Sequence, residues 1–177
     1  MKMLKKLLAV VLTGAMALTL FTACGSNAVR DKDIADALNN IVKLYDSEVT
    51  FTPRAKEREM AQKLAALLES HSEDDSNSAE LSAKIQGILG IDQGGVNENN
   101  FVWVQNALTD KLGAEGQAFQ VMESLTDKGG AYNFSSLGSK EPADTRYMGT
   151  ALCKIPDQKD NLVTVRVIVV TAKAEDE

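Results

Sequence analysis

Few side chains in this sequence could carry acid–base, nucleophilic or metal chemistry: one histidine, His71, and two cysteines, Cys24 and Cys153. His71 opens a polar, acidic stretch, residues 71–78 (HSEDDSNS). The acid–base partner it would need is Glu98, set in Asn97-Glu98-Asn99-Asn100 just after Gly94 and Gly95, glycines that let a ligand approach. The same asparagines also serve ordinary turn and cap geometry. Glu73, Asp74, Asp75, Asn77 and Glu80 supply the oxygens a hard cation prefers. The EF-hand spacing fails, however, because its glycine position is held by Glu80 and its closing acid by Gln86. The expectation is therefore a solvated charge cluster and no metal site. No HExxH zinc helix, GxSxG elbow, SxxK pair or GxxxxGK[ST] phosphate loop occurs, and a serine triad would have only His71 to draw on. Cys153 lacks a neighbouring histidine or base to activate it and reads as a small buried strand residue.

The elements around these residues follow from composition and periodicity. With 177 residues, 44% hydrophobic and 25% charged, the chain suits one globular domain. Its 19 Lys+Arg against 25 Asp+Glu argue against a nucleic-acid partner, which requires a basic face. Lys2, Lys5 and Lys6 precede an uncharged, mostly apolar run, residues 7–21, shorter than a membrane span. The run ends Leu20-Phe21-Thr22-Ala23-Cys24-Gly25. Small residues before a cysteine resemble the lipobox of bacterial lipoproteins, with Phe21 where that family usually has leucine. The resemblance implies that 1–23 is a cleaved signal peptide and that Cys24 is diacylated, anchoring the protein on the extracytoplasmic face of the cell membrane. An ordinary cleaved leader or an uncleaved anchor are the alternatives. Cleavage would leave 16 Lys+Arg against 25 Asp+Glu, a formal charge of −9, so the body should project from an anionic bilayer.

Residues 24–30 then form a short tether and 31–173 a single domain, with 174–177 a frayed tail. Ile34, Leu38, Ile41, Val42 and Tyr45 make one stripe of a helix over 31–49. Thr52-Pro53 reads as the start of a second, with Met60, Ala61, Leu64, Ala65, Leu67 and Leu68 inward. Asn77 and Glu80 resemble a capping box opening a third helix through Ile85, Ile88 and Leu89, closed by Gly90. The run FVWV in 101–108 fits either period. A further helix spans 113–125, and 128–145 reads as loop. Residues 145–154 and 161–173 form an antiparallel hairpin. In its second strand Val163, Val165, Val167 and Val169 face one way, and Leu162, Thr164, Arg166, Ile168 and Val170 the other. Two largely apolar faces require cover on both sides. The expected fold is α+β: N-terminal helices packed with a C-terminal hairpin in an α-β-α sandwich.

That order of elements resembles a divergent CAP domain, the family of cysteine-rich secretory and pathogenesis-related proteins, whose sandwich begins with helices and ends on central strands. The alanine-rich helix before a histidine looks like 60–68 followed by His71. Asn97-Glu98-Asn99 is similar to the family's Gly-Glu-Asn, with its glycine lost. Residues 118–124 correspond to the helix ending in a serine, and Tyr147-Met148-Gly149 with the valine strand to the closing sheet. The second histidine is absent, with Asp127 near its place, and the helix tryptophan is replaced by Val121 or Met122. The two-histidine, two-acid metal set is thus incomplete. The resemblance implies binding of a small lipid or peptide, or protein contact, without metal or cofactor. Two functions follow: a non-enzymatic ligand- or envelope-protein-binding domain, or a cell-envelope hydrolase with His71 and Glu98 as acid and base.

Overall fold

The computed structural model describes residues 29–45, 47–70, 78–91, 100–109, 112–157 and 159–176. In chain order they form α1 (Asp31–Lys43), β1 (Thr50–Pro53), α2 (Ala55–Ser70), α3 (Ser78–Leu89), β2 (Asn100–Leu108), α4 (Ala114–Thr126), a 3-10 turn (Lys128–Gly130), the short α5 (Phe134–Leu137), β3 (Glu141–Pro156) and β4 (Leu162–Glu175). The strands make one sheet in the order β1-β3-β4-β2, with β1 parallel to β3 and the other pairs antiparallel. The fold is α+β.

Alternation along β4 divides the interior into two cores. Ile168, Val170 and Ala172 join Phe101, Trp103 and Met148 beneath α1 and α4, where Ile34, Leu38, Ala118, Val121 and Leu125 cover them. Val165, Val167 and Val169 join Val102 and Cys153 beneath α2 and α3, against Ala61, Leu64, Ala65 and Leu89. Each fully buried Leu, Ile or Val removes apolar area worth roughly 1.5–3 kcal/mol, so a strand apolar on both faces is stable only between two helical layers. Phe101 and Trp103, two apart on β2, stack with centroids 5.8 Å apart.

Four expectations change. The first helix ends at Lys43, not 49, with Leu44 and Tyr45 in a turn whose amides reach back to Ile41 and Val42. Thr52-Pro53 belongs to a strand rather than a helix start. Phe51 is buried, and proline, lacking an N–H, is tolerated at the end of an edge strand. The side chain of Asn39 on α1 accepts from the Phe51 N–H at 2.7 Å and donates to its carbonyl at 3.0 Å. Third, 128–145 is not all loop, since it holds the 3-10 turn, α5 and the first residues of β3. Fourth, the tail is paired through Pro142↔Ala174 and Glu141↔Glu175. The FVWV ambiguity resolves as strand β2. Gly90, at φ +68, ends α3 as expected.

The tightest approach in the fold lies at Gly149 of β3. A Cβ there would sit 1.9 Å from the Arg58 nitrogen and 2.3 Å from its Cα, so the first turns of α2 rest directly on the strand backbone. Gly149→Ala is expected to lower stability by on the order of 2–3 kcal/mol, the cost of overpacking against backbone. Gly87→Ala on α3, where a Cβ meets nothing within 4 Å, should raise it by about 0.5–1 kcal/mol. Urea unfolding midpoints of the two variants test this contrast, and equal shifts would contradict the close packing of α2.

Candidate functional site

Of the residues singled out by their chemistry, Cys24, His71, Glu73, Asp74, Asp75, Asn77, Asn97, Glu98 and Asn99 lie outside the described residues. The others are placed. Glu80 pairs with Lys84 on the surface of α3, Nζ to Oε1 2.8 Å. Asp127, near the position of the missing second histidine, accepts from the Gly129 amide at 2.9 Å and caps the 3-10 turn. Cys153 is buried in β3 as expected, and burial, aided by the Glu69 carboxylate, pushes its thiol up. Among the described residues no group of three His, Cys, Asp or Glu side chains is placed to hold a metal ion.

Two polar networks run through the interior. In the first, Glu57 on α2 is fully buried. Its carboxylate accepts from Arg54 (Nε to Oε2 2.6 Å, with a second contact from the other guanidinium nitrogen) and from Thr171 Oγ1 at 2.7 Å. Arg54 in turn lies over the Tyr147 ring, 3.9 Å from its centroid. Burial pushes the Glu57 carboxyl up, but the hydrogen bonds from Arg54 and Thr171 outweigh it and hold the group below the usual carboxylate range. In the second network Arg58 Nε on α2 donates to Asp31 Oδ2 on α1 at 2.5 Å, and Thr150 Oγ1 donates to Asp31 Oδ1 at 2.7 Å. Arg166 bonds Thr150 Oγ1 at 2.9 Å and Gln117 Oε1 at 2.7 Å, and Gln117 donates to the Leu112 carbonyl at 2.9 Å. These carboxylates are committed to fixed partners, an arrangement that locks elements together rather than one that exchanges protons with a substrate.

A third buried charge sets one wall of a groove. Arg146 is 3% exposed, stacks over Trp103 at 4.7 Å, and donates to the carbonyls of Leu125 and Thr126 at the C-terminal end of α4. Burial pushes its guanidinium down to about 10, with Asp144 opposing, so it remains a cation at neutral pH. A cation suits the carbonyl end of a helix, and here it pins the last turn of α4 to the sheet. Beside that turn opens a cavity of about 570 Å³, lined by Val42, Tyr45, Ser47, Phe119, Met122, Glu123 and Thr126. Phe119 is 68% exposed and Tyr45 66%, while Leu44 beside it is 82% exposed. Bulky apolar side chains gathered at one depression mark a contact site far better than singly scattered ones. The stripe expected along the first helix includes Tyr45. The early end of α1 turns Tyr45 outward, and Phe119 falls between the inward positions Ala118 and Val121.

A second depression lies between α2 and α3, lined by Lys63, Leu67, Ser70, Lys84 and Ile88 among others. Both lysines are engaged, Lys63 with Glu59 at 2.7 Å and Lys84 with Glu80. No family model, curated protein or solved structure matches this chain.

Two measurements follow from the buried groups. Because the Glu57 carboxyl titrates below its ordinary 4.5 in the folded protein, its stabilisation is complete above that pH and is lost as pH falls through the lower folded value. Glu57→Gln should therefore cost about 2–3 kcal/mol at pH 7, and the gap to wild type should narrow as pH falls below 4.5 in parallel urea titrations. A gap independent of pH would refute the ionised pair. Cys153 should resist a thiol-specific aromatic disulfide in the folded protein and react only after denaturant is added; prompt reaction would contradict its burial.

Proposed function

We propose that this protein is a lipid-anchored extracytoplasmic lipoprotein whose CAP-like α+β domain binds a partner non-enzymatically, through the groove between α1 and α4. The observation that carries the binding role is the exposure of Phe119 and Tyr45 at the mouth of that groove, next to Met122 and the buried Val42. Leaving large apolar groups in water is unfavourable by roughly 25 cal/mol per Å², a cost recovered when a partner covers them. The resemblance to CAP domains supports the same class of function, since it implies binding of a small lipid or peptide or contact with another protein. The sandwich begins with a helix and ends on its two central strands, β3 and β4. The leader 1–23 and Cys24 support the anchor, and among the described residues no helix is long and apolar enough to cross a membrane.

Each half of the proposal has its own test. Cys24→Ser should release the protein from the membrane or leave its precursor unprocessed, whereas a processed form still attached would overturn the anchor. A solvatochromic apolar dye should occupy one saturable site, and Phe119→Ser or Tyr45→Ser should weaken it about tenfold while thermal stability changes by no more than about 0.5 kcal/mol, as expected of surface positions. Unchanged dye affinity in both variants would overturn the groove.

A further inference from the structure

Among the described residues, the acids at this groove differ from those of the other helices in having no partner. Elsewhere on the helices the carboxylates are paired. Asp31 meets Arg58, Asp33 meets Arg30, Asp36 meets Lys32, Glu57 meets Arg54, Glu59 meets Lys63 and Glu80 meets Lys84. Glu69 accepts from the Lys154 amide at 2.8 Å. Around the groove this pattern stops. Glu123 lines it, Glu115 lies two turns earlier on α4 in line with Phe119, and Glu48 follows Ser47. Among the described residues none of the three forms an ion pair. The segments 42–48 and 115–126 contain a single base, Lys43.

Resting on the binding role proposed above, we infer that the occupant of this groove is a cationic amphipathic peptide segment, presented as about two turns of helix. Its apolar side chains cover Phe119, Met122 and Tyr45, and its lysines or arginines pair with Glu123 and Glu115. Three observations carry this. The stretch of α4 from Glu115 to Glu123 is about 12 Å long at 1.5 Å per residue, the length of roughly two helical turns laid alongside it. The apolar groups lie between acids on the same helix, so a segment with an apolar stripe flanked by cations complements both. The net charge of −6 over the whole chain, more negative still once the basic leader is removed, disfavours a second copy of this protein as the occupant and attracts a cationic one.

The test uses the full-length protein purified from its host membrane in nanodiscs of zwitterionic lipid, with empty nanodiscs as the blank. The probes are three fluorescent peptides identical in their leucine and phenylalanine stripe but bearing lysine, glutamine or glutamate on the other face. The lysine peptide should bind at least tenfold more tightly than the glutamine peptide, and the glutamate peptide most weakly. Phe119→Ser should weaken the lysine peptide about tenfold. Glu123→Gln should reduce the lysine-over-glutamine preference about threefold or more and leave glutamine-peptide binding unchanged, and added salt should shrink the same preference. Equal affinity for all three peptides, still lost in Phe119→Ser, would overturn the cationic occupant while leaving the groove as the binding site. If Phe119→Ser changes nothing, the groove itself fails. Self-association in sedimentation that Phe119→Ser abolishes would replace the peptide by a second copy of the chain.

Discussion

Asp31 stands at the first position of α1, nearly buried, and its two oxygens hold the protein's two halves together. One accepts from Arg58, which belongs to the helix layer on the opposite face of the sheet, and the other from Thr150 on β3. The meeting is possible because β1 pairs only with Thr145–Met148 of β3, so beyond Met148 nothing in the sheet separates the layers on that side. From Thr150 the chain of hydrogen bonds continues through Arg166 and Gln117 to the backbone before α4. One carboxylate thus indexes α1, α2, β3, β4 and α4 against one another. A hydrophobic interior tolerates small slips of a helix along a sheet, whereas a buried carboxylate with fixed partners does not.

That registration bears on the groove. Its walls are the end of α1 and the second half of α4, two helices that pack against each other on one face of the sheet. Arg146 and Trp103 hold the far end of α4, Gln117 its near end, and Asp31 the start of α1. Phe119 and Tyr45 therefore stand exposed on rigid supports, and a rigid display spends little conformational freedom when a partner arrives.

Periodicity in the sequence located the interior well. The alternation of valines along β4 and the 34-38-41-42 stripe of α1 are strong because each is repeated several times and nearly every repeat is buried, Ile41 and Val163 partly so. Polar burial left no such mark. Nothing in a linear sequence marks Asp31, Glu57 or Arg146 as buried, or reveals that Arg54 and Thr171 lie opposite Glu57. The strand β1 was hidden for a related reason. Thr-Phe-Thr-Pro is short, its proline suggests a helix start, and its pairing depends on β3 nearly a hundred residues later. Phe119 sits beside core positions of an amphipathic helix, one step outside the buried arc, and only the folded packing shows how exposed it is.

Side chains close off much of the exposed rim of the sheet. Asn39 takes both backbone groups of Phe51 on β1. Glu69 covers the Lys154 amide on β3. On β2, Asn133 bonds Val102 and Asn100, the Tyr132 amide bonds the Val102 carbonyl, and Gln120 takes the Leu108 amide. Open strand edges invite neighbouring molecules to extend the sheet. A protein tethered to a surface, as proposed above, diffuses in two dimensions and meets its own copies far more often than it would in free solution. Edges occupied in this way let such molecules crowd and collide without templating a shared cross-β stack.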